Sequence, residues 1–230
     1  MFAAKPPMTI FFDAAGTLFH LPRGVGWHYR DVAARFGCVL EEKKLTHAFR
    51  TAWLQMPARP TTRQPRPDDD KSWWFALVEK VLDENGVSPR QLDRRLYFEA
   101  LYAEFTRPDV WELFPEVREV LTLLRPRFRL GLISNFDGRL RPILAHLGLA
   151  GCFDPIVISS EVGADKPDPW IFQQALDLAG ATAREALHAG DDPRSDWQGA
   201  ADAGLQVFRL HRPENSLRDL LAHLAHPKFP

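Results

Sequence analysis

The sequence is poor in several of the things that would settle its class at once. It has two cysteines in 230 residues, Cys38 and Cys152. Two distant thiols make no CxxC pair, no zinc pattern and no disulfide framework. A reduced, cytoplasmic setting is therefore expected. There is no run of about 18 apolar residues, the length a membrane-spanning helix needs. Lys5, Pro6 and Pro7 interrupt the apolar start, so neither a signal peptide nor a membrane span is expected there. Neither sign of charge is in excess: 29 basic and 30 acidic side chains leave a net charge of -1. Nucleic-acid and membrane surfaces draw on basic excess, so neither is expected as a partner. The sequence also lacks a GxxxxGK[ST] phosphate loop, a GxGxxG turn after the first strand, a GxSxG elbow and an HExxH helix.

What is present is a rhythm. Five short apolar runs, Thr9–Phe12, Leu130–Ile133, Ile156–Ser159, Ala186–Ala189 and Val207–Leu210, suit parallel strands covered on both faces. Helically spaced segments lie between the later runs, such as Val117, Val120, Leu121 and Leu124, or Leu140, Ile143, Leu144 and Leu147. Pro169 opens a further helix that Gly180 ends. Strand alternating with helix predicts an α/β fold, a Rossmann-like parallel sheet. Residues 21–107 break the rhythm with four helices near 27–36, 41–56, 72–85 and 91–105. The expected organisation is a core of 1–20 plus 108–230 with an inserted all-helical cap, 21–107. The proline-rich stretch 57–70 between two cap helices reads as a solvated connector, with a lid as the sharper alternative.

Ligands of an open α/β sheet bind at the carboxyl ends of its strands. Those ends carry Asp13, Gly16 and Thr17; Ser134 and Asn135; Lys166; and Asp191, Asp192 and Asp196. Converging carboxylates at 13, 191 and 196 would repel one another without a cation. Hard oxygen ligands in a partly open site suit Mg²⁺ beside a phosphate. Thr17, Ser134 and Lys166 add donors and positive charge for a tetrahedral oxyanion, and a carboxylate can act as a nucleophile toward phosphorus.

These residues resemble the haloacid dehalogenase superfamily, most of whose members are phosphatases. Its first motif, an apolar strand and then Asp-x-Asp-x-Thr, stands here as Asp13-Ala14-Ala15-Gly16-Thr17. Its Ser/Thr motif is matched by Ser134, its lysine by Lys166 in Lys-Pro-Asp-Pro, and its Gly-Asp motif by Gly190, Asp191 and Asp196. The helical insert resembles the C1-type cap. The resemblance implies Asp13 as nucleophile and Mg²⁺ ligand. The backbone carbonyl of Ala15 and the Asp191 side chain would be further ligands, and Asp196 would orient the metal or its waters. It implies that Thr17 and Ser134 hold phosphoryl oxygens and that Lys166 neutralises charge. Asn135 is a possible helper, and Arg23 and His28 are substrate-binding candidates. The expected partner is a small phosphorylated molecule, and the chain a monomer or homodimer.

Position 15 departs from that pattern. The family's second aspartate supplies a general acid and base; alanine cannot. Several readings stay open. One is a phosphatase that uses a substitute acid, with His20, His28 and Tyr29 as candidates, or that acts on good leaving groups. Others are a 2-haloacid dehalogenase, whose halide leaves without a proton, and a phosphonoacetaldehyde hydrolase, which would need a cap lysine. The last is a phosphate- and Mg²⁺-binding interaction protein without turnover. Trp73 and Trp74 are expected in the cap core, His188 as a packed strand histidine, and Asp137 as a cap of the following helix.

Overall fold

The computed structural model describes residues 8–225. The first strand, β1 (Thr9–Phe12), is wholly buried, as a run covered on both faces must be. The chain continues through β2 (Phe19–His20), four long helices, α1 (Gly24–Arg35), α2 (Glu42–Gln55), α3 (Lys71–Glu84) and α4 (Arg94–Glu104), and β3 (Glu112–Leu113). It then alternates: α5 (Val117–Leu124), β4 (Arg129–Ser134), α6 (Leu140–His146), β5 (Ile156–Ile158), α7 (Ser159–Val162), α8 (Pro169–Ala179), β6 (Ala186–Gly190), a π-helical stretch at Pro193–Gln198, α9 (Gly199–Asp202), β7 (Gln206–Arg209) and α10 (Leu217–Ala225).

Five strands form one sheet in the order β5-β4-β1-β6-β7, and every pairing is parallel. The chain builds outward from β1 to one side, then returns and builds to the other. β1 is therefore flanked by β4 and β6, and the carboxyl end of this trio is the switch point where such sheets bind ligands. The five strands expected from apolar runs are all there, with no end shifted by more than one residue. β2 and β3 form a separate two-stranded sheet; two residues carry no periodicity from which a strand could be read.

The chain divides into two compact units. One holds the sheet and comprises residues up to His20, Pro60–Arg66, and Leu113 onward. Its core packs Phe11 and Ile133 of the central strands against Ile171, Phe172 and Ala175 of α8. Asp168 caps α8 by accepting the Trp170 N–H, with Pro169 in the first turn and Gly180 in a left-handed conformation at the end.

The other unit, Leu21–Arg59 and Pro67–Glu112, contains the four long helices. It has a core of its own around Leu45, Leu77, Val81, Leu82 and Tyr97. The buried Tyr97 hydroxyl donates to the Tyr29 carbonyl at 2.9 Å, which satisfies a polar group that burial would otherwise penalise. Trp73 and Trp74 pack against this core, edge to face with ring centroids 5.2 Å apart. Two boundaries differ from the sequence reading. The sheet unit resumes at Leu113 rather than 108, and Pro60–Arg66 belongs to it although it lies inside the helical insert.

Candidate active site

Asp13 directly follows β1, and its N–H donates to the Ala189 carbonyl of β6 at 2.9 Å. The chain must turn sharply after it. Thr17, Leu18 and Phe19 all direct their N–H groups to the Ala14 carbonyl, and Gly16 N–H meets the Phe19 carbonyl. The Ala15 carbonyl is not among the acceptors of this turn. Gly16 has φ +92°, where a side chain is strained, and a Cβ there would collide with the Asp191 carboxylate. Glycine thus lets the first loop close onto the loop after β6. Thr17 is fully buried and its hydroxyl donates to Asp191 Oδ1 at 2.8 Å.

Lys166 lies at the centre. Its ammonium donates to Asp13 Oδ1 at 2.6 Å, to Asp196 Oδ1 at 2.6 Å and to the Ile133 carbonyl at 2.9 Å. Three N–H bonds of a 4% exposed lysine are thereby used. Ser134, at the end of β4, donates to Asp13 Oδ1 at 3.2 Å. Asn135 grips the Lys166 backbone from both sides: its Oδ1 accepts the Lys166 N–H at 2.6 Å and its Nδ2 donates to the Lys166 carbonyl at 2.8 Å.

The electrostatics follow from this crowding. Burial pushes the Asp13 carboxyl up to about 6, with Asp196 and Asp191 adding to the rise and Lys166 opposing it. Burial likewise raises Asp191, against the Thr17 hydrogen bond. Asp196 is held well below the carboxylate range: burial opposes this, but Lys166 and His188 overcome it. Burial works against a charged Lys166 as well, yet Asp13 and Asp196 raise its pKa above the usual lysine value.

Carboxylate oxygens of Asp13, Asp191 and Asp196 lie within 4.8 Å of one another. One ammonium against three carboxylates leaves negative charge in excess. A hard divalent cation such as Mg²⁺ fits that donor set. Asp13 and Asp191 are the side-chain donors it would meet directly. Both oxygens of Asp196 already have partners, Lys166 and His188 on one and the Asp192 N–H on the other. An outer role, holding lysine and loop, suits it better than direct ligation.

Asp13, Thr17, Ser134, Asn135, Lys166, Asp191 and Asp196 thus come together in the sheet unit. Ala15 lies in the turn after Asp13, and Arg23 and His28 belong to the helical unit, where they line a cavity of about 130 Å³. The Arg23 guanidinium lies over the Trp27 ring, 4.3 Å from its centroid. His28 is buried and directs Nδ1 to Glu104 at 3.4 Å. Asp137 accepts the Arg139 N–H just before α6, at 3.0 Å.

One residue was undervalued by the sequence reading. His188, fully buried in β6, is no mere packing residue: its Nε2 lies 2.8 Å from Asp196 Oδ1. Asp196 reaches it from the π-helical stretch, outside the strand, so no spacing within β6 signals the contact.

Comparison with known proteins agrees with this geometry. Residues 7–204 match the family model described as haloacid dehalogenase-like hydrolase. The human haloacid dehalogenase-like hydrolase domain-containing protein 3 is 34% identical over 205 residues, 88% of this chain and 81% of that protein. Phosphoserine phosphatase of Thermus thermophilus is 38% identical over 144 residues, 60% of this chain and 56% of that protein. Among solved structures, the defluorinating L-2-haloacid dehalogenase Rha0230 superposes with a TM-score of 0.78 at 20% identity, covering 96% of each chain. A parallel sheet with an acid after its first strand, a lysine joined to that acid and a paired acidic loop is what this family's motifs build, and the chain belongs to the haloacid dehalogenase-like hydrolases.

Proposed function

We propose that the protein is a phosphatase of small phosphomonoesters that works through a phosphorylated Asp13. The observation that carries this reading is the Asp13–Lys166–Asp196 arrangement, with Asp191 and Thr17 beside it. It offers a nucleophile, a fixed positive charge and the oxygen donors for a cation in one buried site. A phosphatase among the relatives supports the substrate class.

In this reading an Asp13 oxygen forms a bond to phosphorus as the ester oxygen departs with the bonding electrons. Water then attacks the acyl phosphate, releasing inorganic phosphate and restoring the carboxylate. Ser134 offers a hydroxyl to the phosphoryl oxygens, Thr17 holds the Asp191 carboxylate in place, and Lys166 offsets the phosphoryl charge. Bound Mg²⁺, held by Asp13, Asp191 and the Ala15 carbonyl, would supply electrostatic stabilisation of the phosphoryl oxygens. No side chain at position 15 hands a proton to the departing oxygen, so activated esters should be the better substrates.

The purified protein should hydrolyse an activated aryl phosphate with Mg²⁺ and lose that activity in chelator or as Asp13→Asn. Turnover that survives Asp13→Asn would overturn the reading. Ala15 also favours a second reading, a 2-haloacid dehalogenase, because halide needs no proton on leaving. Halide release from a 2-haloacid without metal would establish it.

A further inference from the structure

The segment Pro60–Arg66 is a strap across the loop that bears Lys166. The Thr62 and Arg63 N–H groups donate to the Gly163 carbonyl at 2.8 and 3.2 Å, and the Arg66 N–H donates to the Ser160 carbonyl at 2.8 Å. Thr61 Oγ1 donates to Asp168 Oδ2 at 2.9 Å. Arg63 places its guanidinium 5.3 Å from the Trp170 ring centroid. Arg66 is 7% exposed; its guanidinium donates to Asp165 Oδ1 at 3.2 Å and back to the strap's own Pro60 carbonyl at 3.3 Å.

The loop is shaped to receive the strap. Gly163 has φ +68°, and a Cβ there would strike the Gln64 carbonyl and the Thr62 hydroxyl. Bonds from the strap thus reach residues 160, 163, 165 and 168, on both sides of Lys166 in sequence. The backbone of Lys166 itself is held by Asn135, and the strap holds the residues on either side of it. The Lys166 ammonium sits at 2.6 Å from two carboxylates, a geometry that depends on where its backbone is held.

We propose that Arg66 is a positioning residue: through Asp165 and the strap it fixes the 163–168 loop and hence the place of the Lys166 ammonium between Asp13 and Asp196. Arg66 acts through Lys166 and need not touch substrate. The kinetic part of this proposal rests on the phosphatase reading; the structural part does not.

Two measurements on wild type, Arg66→Gln and Arg66→Lys separate these parts. The first is labelling of Lys166 by an amine-reactive reagent, quantified by peptide mass spectrometry, with exposed Lys44 as the internal control. Loosening the loop should raise Lys166 labelling in Arg66→Gln by about tenfold, as for a local opening made easier, with Lys44 unchanged. The Arg66→Lys protein, which keeps a cation, should label more nearly as wild type does. The second is aryl phosphate turnover, where Arg66→Gln should lower kcat by roughly 10²-fold with KM little changed, the scale of an ångström's misplacement. Thr61→Val, an exposed change that removes one strap bond, should raise Lys166 labelling about threefold by the same opening. It serves if Arg66→Gln does not fold. A folded Arg66→Gln or Thr61→Val protein whose Lys166 labels no faster than wild type would overturn the proposal. Absence of turnover in wild type would instead overturn the phosphatase reading and leave the labelling result standing.

Discussion

Ala15 occupies a turn built so that little depends on its side chain. The local hydrogen bonds run to the Ala14 and Phe19 carbonyls, and Gly16 provides the close approach to Asp191. A carboxylate at position 15 would therefore add proton transfer without dismantling the loop. Ala15→Asp should raise turnover of alkyl phosphates by about 10²-fold, the scale of general acid–base catalysis. Activated aryl phosphates should gain much less, because their leaving oxygens are stable as anions. Paired kinetics on one substrate of each kind check this, and equal gains would count against the missing-acid account. At this scale the site was largely legible: Asp13, Ser134 and Asp191 each fall at or just past a strand end, where topology alone assigns them to one edge. His188 was not. Within a buried strand, residue type cannot say whether a polar side chain meets a partner from another element, here Asp196 from the π-helical stretch.

The helices of the insert are held by more than apolar stripes. His28 of α1 meets Glu104 at the end of α4, and Glu104 also accepts from Arg35 and Arg107. Burial lowers the His28 pKa below its ordinary 6.5; Glu104 opposes this without reversing it. The unfolded chain therefore takes up a proton at this residue more readily than the fold does. His28 contributes no pH-dependent loss above 6.5, and stability falls as pH drops below that value. His28→Gln should flatten the fall: its thermal midpoint should change less than that of wild type between pH 6.5 and about 5, followed by melting at several pH values. A slope as steep as wild type would remove His28 from the account. The four helices themselves were readable from spacing, with ends displaced by up to three residues. The docking of residues 60–66 was not. Much of its bonding uses backbone N–H and carbonyl groups, which leave no mark on residue type.

Across the molecule, the near balance of charge conceals a local imbalance, with three carboxylates gathered about one ammonium. Their mutual repulsion weakens the cation-free fold, so a bound divalent cation should stabilise the protein as a whole. At a Mg²⁺ concentration a hundred times its dissociation constant, the gain should be about 2.7 kcal/mol. The thermal midpoint should rise with Mg²⁺, fall back in chelator, and respond far less in Asp191→Asn. No helix among the described residues is long and apolar enough to cross a membrane. The strap has a last consequence, for how such a protein can be recombined. The chain passes from sheet unit to helical unit and back twice, at 20/21, 59/60, 66/67 and 112/113. The helical insert is therefore not one exchangeable cassette. A chimera that takes residues 21–112 from a relative also replaces Pro60–Arg66, and must bring the matching Ser160–Asp168 surface with it. Two stretches a hundred residues apart thus have to be engineered as one part.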